Sequence, residues 1–125
     1  MRRRVVITGM GAITPLGHGV QAMFEAQLAG KSGVGPIRRF HAETFPTTFA
    51  AEVKDFDLAR HVAGAERWAD SGVNSQFAAA AAQQALGDAG LLEDTRIDRT
   101  RFGVYLGSGE GIQDFPNLIS LIAQS

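Results

Sequence analysis

The stretch VVITGMGAITPLG, Val5 to Gly17, holds the first residues whose types and spacing could do chemistry. An apolar strand that runs into Gly-x-Gly and then a helix is how a dinucleotide-binding loop begins, because glycines let backbone amides approach a pyrophosphate at the helix N-terminus. That fingerprint needs a third glycine, and Gly9 and Gly11 are followed by Ala12, Ile13 and a β-branched Thr14 in its place. Pro15 comes next, Gly17 falls three positions too late, and no Gly-Lys-Ser/Thr follows to make a Walker-type loop. The pattern argues against a nucleotide site, so these glycines call for a structural reason.

Ser108 in LGSGEG invites a nucleophile-elbow reading, a strand-to-helix turn that exposes a hydroxyl. The Gly-x-Ser-x-Gly motif requires glycines where Leu106 and Glu110 stand, and the plainer reading is a glycine-rich turn that allows close backbone packing. His18, His41 and His61 lie in separate segments with no cysteine or paired carboxylate at ligand spacing, so they read as surface or capping residues rather than metal ligands. Glu66 with Asp70, and Glu93 with Asp94, are acidic pairs of the kind that solvent usually covers. Arg2 to Arg4 and Arg38-Arg39 are short basic patches without interleaved aromatics, which speaks against a nucleic-acid surface. Trp68 beside Arg67 reads as a partly buried aromatic at the start of a helix.

The totals narrow the class. The 125 residues make one ordinary domain by size. Twelve Lys+Arg against thirteen Asp+Glu leave a net charge of -1, so no overall field favours nucleic acid or an anionic membrane. No segment approaches the roughly 20 apolar residues of a spanning helix. The apolar run behind the N-terminal arginines stops at Thr8-Gly9, short of a signal peptide. A soluble, cytoplasmic protein is the expectation. Zero cysteines exclude disulfides, thiolate metal sites and a cysteine nucleophile within these residues.

These residues must be positioned by a small set of elements. Arg4 to Thr8 reads as a strand buried on both faces of a largely parallel sheet. Val20, Met23, Phe24, Gln27 and Leu28 recur at helical spacing over Val20 to Leu28, with Gly30 placed as a left-handed C-terminal cap. Residues 31 to 46 read as a surface connection, Thr47 to Val53 as a short edge strand, and Asp57 to Val62 as a helical turn or two. Asp70 or Ser71 is placed to cap a helix with the body NSQFAAAAAQQALGDA, ended by Gly90 and Leu91. Five successive alanines, Ala78 to Ala82, narrow that helix so that a neighbour can lie very close. Phe102 to Leu106 is a second apolar strand, running into Gly107, Gly109 and Gly111, and Phe115, Leu118, Ile119 and Ile122 mark a last helical face. The order predicts an α/β layered fold with parallel strands and right-handed crossovers, completed by further chain or a second subunit, because two strands leave apolar edges uncovered.

The segments RRVVITGMGAITPLG, LAGKSGV, FAAEVKDFD, ALGDAGL and GVYLGSGEG, in this order and with these gaps, closely resemble the N-terminal region of the elongating β-ketoacyl-acyl-carrier-protein synthases. The resemblance spans nearly all 125 residues, with no second domain. It implies a thiolase-like fold, in which two similar β-α-β-α-β halves pack as a layered sandwich, usually in a homodimer, and it assigns the Thr-Gly-x-Gly turn a structural part. It also implies a decarboxylative Claisen condensation without a cofactor. A cysteine thiolate takes the acyl group, two histidines help decarboxylate malonyl-carrier protein, and backbone amides hold the oxyanion. The partners so implied are acyl carrier protein and its acyl and malonyl thioesters.

The chain has no cysteine, and its three histidines do not match the catalytic motifs of that family, which come later in sequence. The chain therefore reads as the N-terminal fragment of a several-fold longer synthase, without catalytic residues of its own and inactive alone. Two positions depart from the pattern. The segment matching GSGEG skirts the acyl pocket in related synthases, so Gly109, Glu110 and Gly111 are placed near it, and the residue between the last two glycines is often an apolar gate. A carboxylate would lose solvation there, so Glu110 points away, pairs with an arginine, or belongs to a pocket for a more polar chain. Before the alanine-rich helix, where the family often has a basic cluster that meets the acidic carrier, only Arg67 stands in GAERWADSG. Two other readings compete: a non-catalytic partner resembling the chain-length subunits of aromatic polyketide systems, and a free-standing interaction module.

Overall fold

The structure, a computed structural model, describes residues 3–109 together with residues 122 and 123. Its elements in chain order are helix α1, Val20–Leu28, strands β1, Val34–Pro36, and β2, Phe49–Ala51, and helix α2, Val73–Asp88. Short 3-10 turns at Leu58–Arg60 and Ala65–Trp68 lead into α2, and a third, Arg99–Arg101, follows it.

Both α-helices end as their glycines require. Gly30 and Gly90 have φ of 64° and 68°, a left-handed conformation that glycine adopts without a Cβ clash. At the end of α1 the amide of Lys31 donates to the Ala26 carbonyl at 2.9 Å and that of Gly30 to Gln27 at 3.0 Å. At the end of α2, Leu91 donates to Leu86 at 2.9 Å and Gly90 to Gly87 at 3.0 Å. This paired pattern satisfies carbonyls that helix geometry orphans, and Leu86 and Leu91 line one apolar hollow beside it. The other end of α2 differs from expectation. Its N-cap is Gly72, with no side chain capping it, and the Ser71 hydroxyl instead donates to the Trp68 carbonyl at 2.7 Å. Two further amide bonds from Gln76 to the carbonyls of Trp68 and Ser71 tie the turn to the helix from within.

The span 31 to 46 is more ordered than a plain connection. β1 pairs antiparallel with β2 in the register Val34↔Ala51, Gly35↔Ala50, Pro36↔Phe49. Val-Gly-Pro carries no alternating apolar signal, and proline is tolerated because β1 lies at the edge of a two-stranded sheet, where its missing N–H breaks no inner ladder. The edge strand expected within Thr47 to Val53 is present as β2. Asp57 caps the first 3-10 turn, its carboxylate accepting the Ala59 amide at 3.0 Å.

The two expected parallel strands are not paired. Among the described residues the sheet consists of β1 and β2, and it is antiparallel. Val5, Val6 and Ile7 are 94%, 73% and 83% exposed, and Tyr105 is fully so. A strand buried on both faces needs hydrogen-bonded neighbours and two covering layers, and the described residues supply neither to 4–8 or 102–106. For the same reason the apolar stripe of α1 is only partly covered: Phe24 and Leu28 stand largely in solvent, while the small Ala26 makes the buried contact. Among the described residues the buried apolar ones are Ala26, Ala42, Leu58 and Ala80, and Ala80 on α2 is completely enclosed. The helical face over Phe115, Leu118 and Ile119 lies outside the described residues.

Candidate functional site

The residues singled out at the N-terminus form a turn clamped onto α2. A Cβ built on Gly9 would collide with the carbonyl of Ala85 and one on Gly11 with the carbonyl of Ala81, so both glycines lie against helix backbone. The alanine-rich face of α2 permits that approach, since any longer side chain there would hold the turn away. Polar groups fix the register. The Met10 amide donates to Asp88 Oδ2 at 2.9 Å, the Ala12 amide donates to Gln84 Oε1 at 3.0 Å, and Gln84 Nε2 reaches the His18 carbonyl at 3.4 Å. Beyond them, Thr14 and Gly17 exchange backbone hydrogen bonds at 3.0 and 3.1 Å, and the Thr14 hydroxyl also donates to the Gly17 carbonyl. The backbone amides of Met10 and Ala12 are therefore taken by α2 side chains. A pyrophosphate would find those amides occupied, and the glycines serve packing.

His18 and His61 are not isolated, and His61 is the C-cap of the first 3-10 turn, its amide donating to the Leu58 carbonyl at 2.9 Å. They meet at 5.6 Å between ring centroids, and Phe56 stacks on His61 at 5.6 Å with an interplanar angle of 9°. Phe56 also meets His18 edge-on at 5.7 Å and Phe77 of α2 at 4.8 Å. This half-buried cluster ties the end of the N-terminal turn to the first 3-10 turn and to α2. Sequence spacing could not reveal it, because the four rings come from three separate segments. His41 stands apart and exposed. Among the described residues no group of three or more His, Asp or Glu side chains is arranged to hold a metal ion.

Arg67 lies in the second 3-10 turn, exposed, beside a half-buried Trp68. Gly64 starts that turn with φ of 72°, and the Arg67 guanidinium folds back to within 3.5 Å of where a Gly64 Cβ would sit. Arg67 joins no ion pair among the described residues. Gly109 is exposed, with open space at its Cβ position among the described residues, whereas Glu110 and Gly111 lie outside them. The structure thus keeps Arg67 and Gly109 on separate segments. Of the acidic residues, Asp94 has a close partner in Arg96, whose guanidinium, 2.9 Å away, holds the Asp94 carboxyl below the usual carboxylate range. No helix among the described residues is long and apolar enough to cross a membrane.

The N-terminal site is thus a turn pinned by glycines to an alanine-rich helix, and a second apolar segment ends in Gly-Ser-Gly. The family described as "Beta-ketoacyl synthase, N-terminal domain" matches residues 2–124, and the chain belongs to it. Over 110 residues it is 51% identical to a 3-oxoacyl-(acyl-carrier-protein) synthase 2 of Coxiella burnetii, covering 88% of this chain and 26% of that protein. It is 32% identical over 114 residues to the granaticin polyketide putative beta-ketoacyl synthase 2 of Streptomyces violaceoruber, covering 91% of this chain and 27% of that protein. Among solved structures, the ishigamide ketosynthase/chain length factor matches with a TM-score of 0.63 and 45% identity, over 74% of this chain and 23% of that one. These likenesses carry the fold, a portion of the thiolase-like layered architecture. The chain spans about a quarter of the length of the curated relatives it matches.

Proposed function

We propose that this chain is the N-terminal part of a 3-oxoacyl-acyl-carrier-protein synthase, a condensing enzyme of fatty-acid synthesis. The observation that carries the reading is the family match across residues 2–124, together with 51% identity to a synthase 2. In the whole protein the acyl group passes from a carrier thioester to a cysteine supplied by chain beyond residue 125. The malonyl thioester loses carbon dioxide, and the resulting carbanion attacks the acyl-enzyme, expelling the thiolate. This part supplies scaffold rather than nucleophile, since it contains no cysteine. Residues 4–8 and 102–106 join a largely parallel sheet there, which accounts for their apolar exposure. Gly109, Glu110 and Gly111 border the acyl pocket and Arg67 contacts the acidic carrier. The whole protein works as a homodimer in the cytoplasm, and the 125 residues alone do not condense. The test is the intact mass of the whole protein after treatment with an active-site-directed thiol reagent: one added label supports the reading, and none overturns it.

A second reading has its own observation. A solved structure that this chain resembles is titled a ketosynthase/chain length factor, and a granaticin polyketide putative beta-ketoacyl synthase is among its relatives. If the whole protein is a non-catalytic chain-length partner, the residue at the nucleophile position is glutamine, and the thiol label finds nothing.

A further inference from the structure

His18 and His61 carry ring nitrogens that the scaffold role does not use. Their rings meet at 5.6 Å between centroids, inclined at 69°, within the half-buried cluster that includes Phe56 and Phe77. Among the described residues neither imidazole makes a hydrogen bond or an ion pair. The nitrogens are not sealed off either, because the described residues hold no fully buried side-chain nitrogen without a partner. Packing alone gives no reason for them. Phenylalanine would fill the same space without leaving half-buried polar atoms unpartnered, an arrangement that weakens a fold. Both backbones are tied in place: Gln84 of α2 donates to the His18 carbonyl at 3.4 Å, and the His61 amide donates to the Leu58 carbonyl at 2.9 Å. The rings are held as well. Phe56 stacks on His61 and meets His18 edge-on, and Phe77 backs Phe56 at 4.8 Å.

Imidazole is the commonest protein ligand for late divalent transition ions. With metal–nitrogen bonds of about 2.0 Å, two imidazoles that share one tetrahedral zinc ion have ring centroids roughly 5 to 6 Å apart. The observed separation lies in that range. Rings oriented beforehand by packing also lose less freedom when they bind. We propose that His18 and His61 together bind one zinc ion, each through one ring nitrogen, with water in the remaining positions. Two protein ligands make an open, exchangeable site, unlike the closed four-ligand set of a structural zinc centre. The ion staples the end of the N-terminal turn to the first 3-10 turn, since one ligand comes from each. Both ligands and the residues that hold them lie within this chain, so the assignment does not rest on which outer face stays free in the whole protein. It is also independent of the condensing role.

The test is isothermal titration of zinc chloride into the whole protein after chelator treatment and dialysis. The expected result is a saturable step of one zinc per chain that weakens by about tenfold or more in His18→Phe and in His61→Phe. Phenylalanine keeps the ring packing and removes the ligand. The double variant should lose no more than either single one, because both ligands serve one ion. His41→Phe, which alters a histidine that stands apart, should leave the step unchanged. Zinc should also raise the thermal midpoint of the parent by more than that of either ligand variant, since the ion binds the folded pair. Circular dichroism matching the parent verifies folding, and His18→Gln and His61→Gln replace any phenylalanine variant that does not fold. No saturable zinc step, or one undiminished in either folded ligand variant, would overturn the assignment. A failed condensation assay would leave it standing.

Discussion

At the scale of single residues, the account rests on contacts that allow no extra atom. Gly11 lies against the Ala81 carbonyl and the Ala85 amide, so Gly11→Ala must push the N-terminal turn off α2. Overpacking of this kind costs about 1 to 3 kcal/mol, and urea unfolding of the variant should show a loss in that range. Gly19→Ala is the control, because nothing lies within 4 Å of its Cβ position and its φ is outside the left-handed region. The carboxylate of Asp94 gives a pH prediction. Its proton affinity is lowered in the fold by Arg96, so the pair contributes stability above the ordinary carboxylate range, and that contribution is lost as pH falls through the lowered value. Carbon NMR should place the Asp94 midpoint below that of an unpaired aspartate, and Arg96→Gln should move it upward. A midpoint unchanged by Arg96→Gln would refute the pairing.

At the scale of elements, stability depends on how helices end. Gly90 closes α2 at φ of 68°, so Gly90→Ala places a Cβ in the left-handed region and should cost about 1 to 2 kcal/mol, read as a lower thermal midpoint. The bounds of α1, Val20–Leu28, and both glycine stops were legible in the sequence, because 3.6-residue periodicity and a following glycine are local signals. The start of α2 was misread: Asp70 and Ser71 are favourable cap types, but the fold places Gly72 at the cap and draws the Ser71 hydroxyl back to the Trp68 carbonyl. β1 was missed because its pairing is set by β2, about fifteen residues away, and Val-Gly-Pro has no pattern of its own. The meeting of His18, Phe56, His61 and Phe77 was likewise invisible, as it arises only when the turn docks on α2. The failure of the glycine-rich loop as a nucleotide site was legible, since one β-branched residue at Thr14 breaks the fingerprint.

At the scale of the whole molecule, the exposed apolar runs at 4–8 and 102–106 are the strongest sign of what this chain belongs to. Ile7 and Leu106 are 83% and 73% exposed, an arrangement that a finished sheet would bury. The relatives it matches are about four times as long. The central claim is that this scaffold serves a carbon-carbon bond-forming enzyme, and its most direct measurement is condensation by the whole protein. Given an acyl-carrier thioester and malonyl-carrier protein, it should release carbon dioxide and leave a 3-oxoacyl thioester on the carrier, seen by mass spectrometry, while the isolated 125 residues yield none. Failure of the folded whole protein to form that product, or its formation by the 125 residues alone, would contradict the account.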